Sequence, residues 1–556
     1  MRSWHRHAMA IIGALIILSV VLTGCGTPSG NNGSQYGGTV TIAPSPYGPF
    51  TRNFNPFLPN SDRVGTLGMI YETLLSVNRL SGKASPWLAS TYQWNNDATS
   101  ITFNLRSDVK WTDTTDFTSA DVLFTLNLLH QYPALDGGGL WKAISDISAP
   151  DAHTVVVNFK VPSVPILWYL AGQTYIVPQH IWQNIKDPTT ETNPNPMGTG
   201  PFTLGSFNAQ VYTLKKNAHY WQAGKPYVDA LRYPAYDANA AADVLLSTGS
   251  LDWSGVFSSD LQKTYVNRDP VHNHYWFPPA NVVMLYLNLA KAPFNNLAVR
   301  QAISAAIDRE ALSTQAELGY EPVASPTALV LPANQSYLDP QYANTKFGAA
   351  DAAKAASTLE AAGFTKGSDG VYADASGHKL QFKMNVVTGW SDWVTAVQIM
   401  AQNLNAAGMK VTVNAISFND YIAALSNGTF DSAISWTNPG PTPYYLYQSL
   451  LASSNTAPVG QAANSNYERW SDTATDQLLS QYAGSPDAQV QQQAIAGLQK
   501  IMVEQMPAIP LMEGATWYEY STARFVGWPD EHNQYASPAP WQFPDAAVVA
   551  MNIHKA

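Results

Sequence analysis

An α/β fold spread over more than one domain is predicted by three observations. The chain has 556 residues, too many for one hydrophobic core, since cores stop growing at about 250–300 residues. Stretches in which every second residue is apolar alternate along it with stretches of helical period. A strand–helix–strand unit is also legible in 380–416, the arrangement that joins parallel strands.

Taken in order, GGTVTIA (37–43) alternates like an edge strand, TRNFNPFLPN (51–60) is turn-rich, and 65–75 reads as a helix. Ile101, Phe103 and Leu105 alternate with polar residues as a strand does. Thr118 and Ser119 then open a helix carrying Val122, Leu123, Leu126 and Leu129. TVVVNF (154–159) is a strand, and MGTGPFTLGSF (197–207) looks like a crossing point between domains. NVVMLYLNLA (281–290) is a dense apolar strand. An Asn at 295 or 296 can cap the following helix, which bears Val299, Ile303 and Ile307. Leu380, Phe382, Met384 and Val386 share a strand face. Trp393, Val397, Met400 and Leu404 follow at helical spacing, and 409–416 returns as a strand. SFNDYIAALSNGTFDSAIS repeats the helix-then-strand pattern, with Gly428 as the helix stop.

Composition narrows the partners. Charged residues make up 13% and aromatic residues 12%, with 17 Trp and a net charge of -10. Typical domains are about a quarter charged, so the surface is unusually neutral. The negative balance argues against nucleic acid and anionic lipid, which need a basic face. From Ser432 to Tyr467 there is no Asp, Glu, Lys or Arg at all, yet the stretch holds WTNPGPTPYYLY. A rigid, aromatic, uncharged segment suits a ligand with apolar faces and hydroxyls.

The chain has one cysteine, Cys25. Before it come Arg2 and Arg6, an apolar run from Ala8 to Leu22, and the small residues of LTGC. That run is shorter than the roughly 20 residues a bilayer needs, so it reads as a secretory signal peptide. Its ending resembles a bacterial lipobox, which implies lipid on Cys25. TPSGNNGSQ is a flexible tether.

Several stretches together resemble the family 5 solute-binding proteins of bacterial ABC importers, the oligopeptide, dipeptide and nickel-binding type. They are PWLASTYQWNNDATSITFNLRSDVKWTDTTDFTSADVLFTL (86–126), GTGPFTLGSF (198–207), LKKNAHYWQAGKPYVDALRY (214–233), PFNNLAVRQAISAAIDREAL (293–312) and FNDYIAALSNGTFDSAIS (418–435). Thr115 departs from the usual turn residues, a loop detail. The resemblance implies a periplasmic-binding-protein-like α/β fold (class II, cluster C). It would have two lobes, mixed sheets flanked by helices, and an extra inserted domain. The implied division is a signal peptide over 1–24, a tether over 25–36, and domain I over 37–75, 197–281 and 509–556. Domain II would span 76–196 and domain III 282–508, with hinges near Val282–Asn288 and Ala508–Glu513. It also implies a monomer that serves an ABC permease and its ATPase subunits, without enzymatic activity, cofactor or metal.

In peptide-binding members of the family, the loop after a DSAIS-like strand typically offers an Asp to the ligand's ammonium. Asn438 stands about there in this chain, and an enclosed ammonium without a carboxylate is costly. The combination GPTPYYLY with WYEYST and YASPAPW resembles the branch that binds cello- or manno-oligosaccharides. The expected ligand contacts are Asn55, Trp253, Trp390, Asp392, Trp393, Trp436, Asn438, Tyr444, Tyr445, Glu513 and Trp517. Trp393, in step with Val397 and Met400, also fits a core position. A peptide whose amine meets Asp392, Asp431 or Glu513 is the alternative ligand. A secreted glycosidase is the distant alternative, since it needs two facing carboxylates that no local motif sets here. His272 and His274 form a close His pair and lack an evident third metal ligand.

Overall fold

The computed structural model describes residues 34–59, 61–485 and 487–556. The expected signal peptide, Cys25 and most of the tether lie outside the described residues. Among the described residues no helix is long and apolar enough to cross a membrane.

Three sheets organise the chain from Gln35 onward. A seven-stranded sheet runs Asn273–Tyr275, Glu519–Ser521, Trp253–Ser254, Thr39–Ala43, Ala230–Pro234, Val211–Lys216 and Phe202–Asn208. A five-stranded sheet runs Lys410–Ile416, Gln381–Val387, Ser432–Trp436, Pro279–Leu287 and Ile509–Ala515. A four-stranded antiparallel sheet of Ala89–Trp94, Ser100–Leu105, Thr154–Phe159 and Ile144–Asp151 stands between the first and second passes through the seven-stranded sheet. With their flanking helices, the seven- and five-stranded sheets form the two lobes of an α/β fold.

The five-stranded sheet explains the dense apolar run NVVMLYL. Val283, Leu285 and Leu287 enter one core cluster, whereas Val282, Met284 and Tyr286 enter the cluster on the opposite face. Both faces lie under helices, so alternation with polar residues is absent. Each fully buried side chain of this kind contributes roughly 1.5–3 kcal/mol. The unit read from sequence is present: Gln381–Val387 pairs parallel with Lys410–Ile416, and the helix Ser391–Ala406 connects them. Asn296 caps the helix Leu297–Ala306, its Oδ1 accepting from the Ala298 N–H at 2.9 Å. Gly428 ends the helix Phe418–Asn427 with φ +65°, where a side chain would be strained.

Two elements differ from expectation. The stretch 37–43 is no edge: Thr39–Ala43 pairs parallel on both sides, with Ala230–Pro234 and Trp253–Ser254. The helix expected over 65–75 is a single turn, Arg63–Thr66, followed by the strand Leu75–Val77. Gly68, at φ +79°, breaks the helical path, and the Ile70 carbonyl turns outward to accept the Gly200 N–H at 2.9 Å.

Candidate functional site

The chain passes from the seven-stranded to the five-stranded sheet after Tyr275 and returns before Glu519. The two passes bond each other there: the Trp276 N–H donates to Tyr518 O (3.1 Å) and the Thr516 N–H to Pro278 O (2.9 Å). These two adjacent crossings join the lobes, whereas the stretches 282–288 and 508–513, expected as hinges, lie almost wholly within strands Pro279–Leu287 and Ile509–Ala515 of the five-stranded sheet. Farther out, the lobes touch through Asn239. Its backbone N–H donates to Gly389 O (3.2 Å), and its amide donates to Asp392 Oδ1 (3.1 Å) and Ser391 Oγ (3.2 Å). Gly389 has φ +91°, and a Cβ there would sit 2.6 Å from Asp237 O, so this approach requires glycine.

Beside that contact stands an aromatic wall on the five-stranded lobe. Trp390 lies 5.2 Å from Trp393, 6.0 Å from Trp436 and 5.8 Å from Phe418 between ring centroids. Trp390, Trp436 and Phe418 keep partial exposure, whereas Trp393 is buried against Val397 and Met400. The buried Trp390 Nε1 donates to nothing among the described residues. Tyr47 of the opposite lobe meets this wall, its ring 4.7 Å from Phe418.

Tyr47 and Arg63 share an informative combination. Tyr47 is 38% exposed, yet burial raises its hydroxyl pKa. Arg63 is exposed, yet burial lowers its guanidinium pKa, opposed only by the hydroxyls of Tyr175, Tyr467 and Tyr47. A side chain that is accessible and desolvated together faces a space walled by protein. Tyr47, Arg63, Tyr175 and Tyr467 therefore line a space between the lobes beside the Trp390 wall, open enough to leave Tyr47 and Arg63 exposed. The buried hydroxyls of Tyr175 and Tyr236 also lack partners among the described residues. Such orphaned polar groups call for a water, an ion or a ligand.

Carboxyls surround the crossing. Asp392, at the start of its helix, is pushed up to about 6 by burial. Glu513 is pushed up to about 7 by burial, against the Leu331 N–H that it accepts at 2.9 Å. Burial likewise lifts Glu519 to about 8, although its Oε2 accepts from Ser254 Oγ at 2.6 Å. Deeper in the five-stranded lobe, Glu321 is pushed up to about 8 and Glu317 is held well above its ordinary value, both by burial.

The remaining expected contacts lie elsewhere. Asn55 is fully buried and ties a loop, its amide donating to Pro188 O (3.1 Å) and Glu191 O (2.8 Å). Trp253 is fully buried, with its Nε1 donating to Pro538 O at 2.9 Å. Trp517 packs among Phe257, Phe277 and Tyr320. Tyr444 stacks on Tyr482 at 4.6 Å. Tyr445 donates to Pro165 O at 2.8 Å, and Tyr447 to Thr327 O at 2.7 Å. Asn438 is exposed, and its amide has no partner among the described residues. Asp431 pairs with Lys291 at 3.0 Å, and His272 with Asp269 at 2.8 Å.

The uncharged segment thus faces the region of the four-stranded sheet. Besides Tyr445, Pro439 O accepts from Arg79 Nη2 at 3.4 Å, and Gln448 Oε1 accepts from the Tyr169 hydroxyl at 3.0 Å. Over 439–451 the lack of charge goes with burial between two parts of the fold. Sequence reading missed Tyr47, Arg63, Tyr175, Tyr236, Phe418 and Tyr467. They come from separate loops, turns and helix starts, and no local spacing unites them.

The profile of the bacterial extracellular solute-binding proteins, family 5, matches residues 83–458. The glutathione-binding protein GsiB of Escherichia coli is 27% identical over 437 residues, covering 76% of this chain and 80% of that protein. A periplasmic oligopeptide-binding protein of Thermotoga maritima, solved with mannohexaose bound, superposes with a TM-score of 0.86 at 26% identity. That match covers 93% of this chain and 98% of the other. The oligopeptide-binding protein AppA of Bacillus subtilis, solved with a nonapeptide, shares the fold at a TM-score of 0.80 and 19% identity, covering 94% and 100%.

Proposed function

The chain belongs to the bacterial extracellular solute-binding proteins of family 5, and on that premise we propose that its ligand is an oligosaccharide of the cello- or manno- type. Proteins of this family bind solutes for ABC importers and are not enzymes. The carrying observation is the Trp390–Phe418–Trp436 wall with Tyr47 opposite. A pyranose has an apolar C–H face that packs on such rings, while its hydroxyls need partners that both donate and accept. Orphaned Tyr175, Tyr236 and Trp390 groups suit that need. The Thermotoga relative with mannohexaose supports the same class. Domain III, 282–508, would swing about the paired crossings and exclude water from the stacked rings. Lipid on Cys25 would keep the protein beside its permease, with 76–196 as the inserted domain.

Calorimetry on the detergent-solubilised full chain tests this reading. Cello- and manno-oligosaccharides of two to five units are compared with di- to pentapeptides. Binding of one sugar series at about 1 μM or tighter, near -8 kcal/mol, with peptides silent, is the expected result. Trp390→Ala and Trp436→Ala should each weaken it at least about tenfold, or ~1.4 kcal/mol. Peptide binding with both sugar series silent would overturn the oligosaccharide assignment in favour of a peptide, the ligand class suggested by the relative named for glutathione.

A further inference from the structure

Arg63 is unlike the arginines buried within the fold. Arg300 donates to the carbonyls of Phe294, Gln505 and Met506, and Arg309 to those of Ser304 and Pro510. Arg79 reaches Pro439 O and the Asp545 carboxyl takes its backbone N–H. These arginines are spoken for by the protein. The Arg63 guanidinium, by contrast, makes no hydrogen bond or ion pair among the described residues. The Phe543 ring lies 5.0 Å from its guanidinium carbon, and a ring face leaves the edge N–H groups free.

Its surroundings show where those donors lie. Tyr47 and Tyr467 stand near it. Tyr47 reaches across to Phe418 on the far lobe, and Tyr467 belongs to that lobe, 6.4 Å from Tyr286. Five planar donors with no acceptor among the described residues, on an accessible side chain between the lobes, are matched best by an anion with two oxygens. Among the described residues no carboxylate supplies one, although the protein carries 40 acidic residues. We infer that Arg63 is a specificity residue that receives a carboxylate of the bound solute across the interlobe space.

This inference rests on the binding-protein reading and narrows it. For an oligosaccharide, the carboxylate is that of a uronate or aldonate unit. For a peptide, it is the C-terminal group. Matched pairs separate these sources: cellotetraose against its aldonate, mannotetraose against tetramannuronate, and tetra-alanine against its C-terminal amide. Each is titrated into the detergent-solubilised full chain at low salt and again at high salt.

The expected result is that in one pair the carboxylate form binds about tenfold or more tighter than its neutral partner, with the preference reduced by salt. Arg63→Met should abolish that preference, and Arg63→Lys should keep part of it. Thermal unfolding of each variant checks that the fold is retained. Preference for the peptide acid with all sugars silent supports the role of Arg63 and overturns the oligosaccharide assignment. Neutral sugar bound as well as its acid, unchanged in Arg63→Met, overturns the role of Arg63 and leaves the oligosaccharide reading standing. Binding of neither member of any pair overturns both.

Discussion

Tyr445 spends its hydroxyl on the Pro165 carbonyl and its ring on Tyr169 and Trp168, 5.6 and 6.2 Å away. From sequence it reads as a platform for a ligand, because Pro/Tyr segments present rigid faces and carry no charge. The structure supplies another reason for the same composition, since a segment buried between two parts of a fold also excludes charge. Tyr445→Phe should therefore cost about 1–2 kcal/mol of stability, the penalty of an orphaned buried acceptor. Ligand affinity should change little. Denaturant unfolding beside ligand titration reads both, and a large loss of affinity at full stability would restore the platform role. Trp390, Trp393 and Trp436 were legible because three indoles fall at strand and helix ends that the pattern places together. Tyr47 and Arg63 were not, because their packing partners Phe418 and Phe543 lie hundreds of residues away in the chain.

At the level of elements, regular periods were legible wherever one face is buried. Gln381–Val387, Ser391–Ala406 and Lys410–Ile416 fall close to where alternation and helical spacing put them. Failures came where neighbours, not local pattern, decide. Thr39–Ala43 resembles an edge strand until its two parallel partners are known. The expected helix over 65–75 gives way because the chain there must meet 198–202. A Cβ on Gly198 would sit 1.8 Å from Ile70 O, and one on Gly200 would sit 2.4 Å from Met69 O. Both obstacles are backbone, which cannot rotate aside. Gly198→Ala should thus cost about 3 kcal/mol or more, at the upper end of overpacking. Gly137→Ala, which meets nothing within 4 Å, is the matched control. Equal melting temperatures for the two variants would show that the 198–200 approach is looser than described.

Across the whole molecule, buried acids outnumber what their partners can satisfy, and this sets the response to pH. Burial raises Asp62, Glu72 and Glu513 to about 7, Glu321 and Glu519 to about 8, and Asp392 and Asp545 to about 6. Each of these groups holds its proton in the folded chain at pH values where the unfolded chain has released it. Between roughly pH 4.5 and 8 the native state therefore binds more protons, so stability falls as pH rises, by about 1.4 kcal/mol per unit for each group within its window. Below that range, surface carboxylates such as Asp113, Asp369 and Asp374, held low by hydrogen bonds and charged partners, lose their stabilising interactions as they are protonated. The stability maximum should then lie in mildly acidic solution, near pH 5. Guanidinium unfolding midpoints should drop between pH 5 and pH 8, with the dependence on denaturant unchanged. Glu513→Gln keeps an acceptor for the Leu331 N–H and removes one titrating group. It should flatten the decline between about pH 4.5 and 7, by about 1.4 kcal/mol per unit. A midpoint that stays level or climbs toward pH 8 would mean that these carboxyls ionise freely, through water or a bound solute that solvates them in the interlobe space.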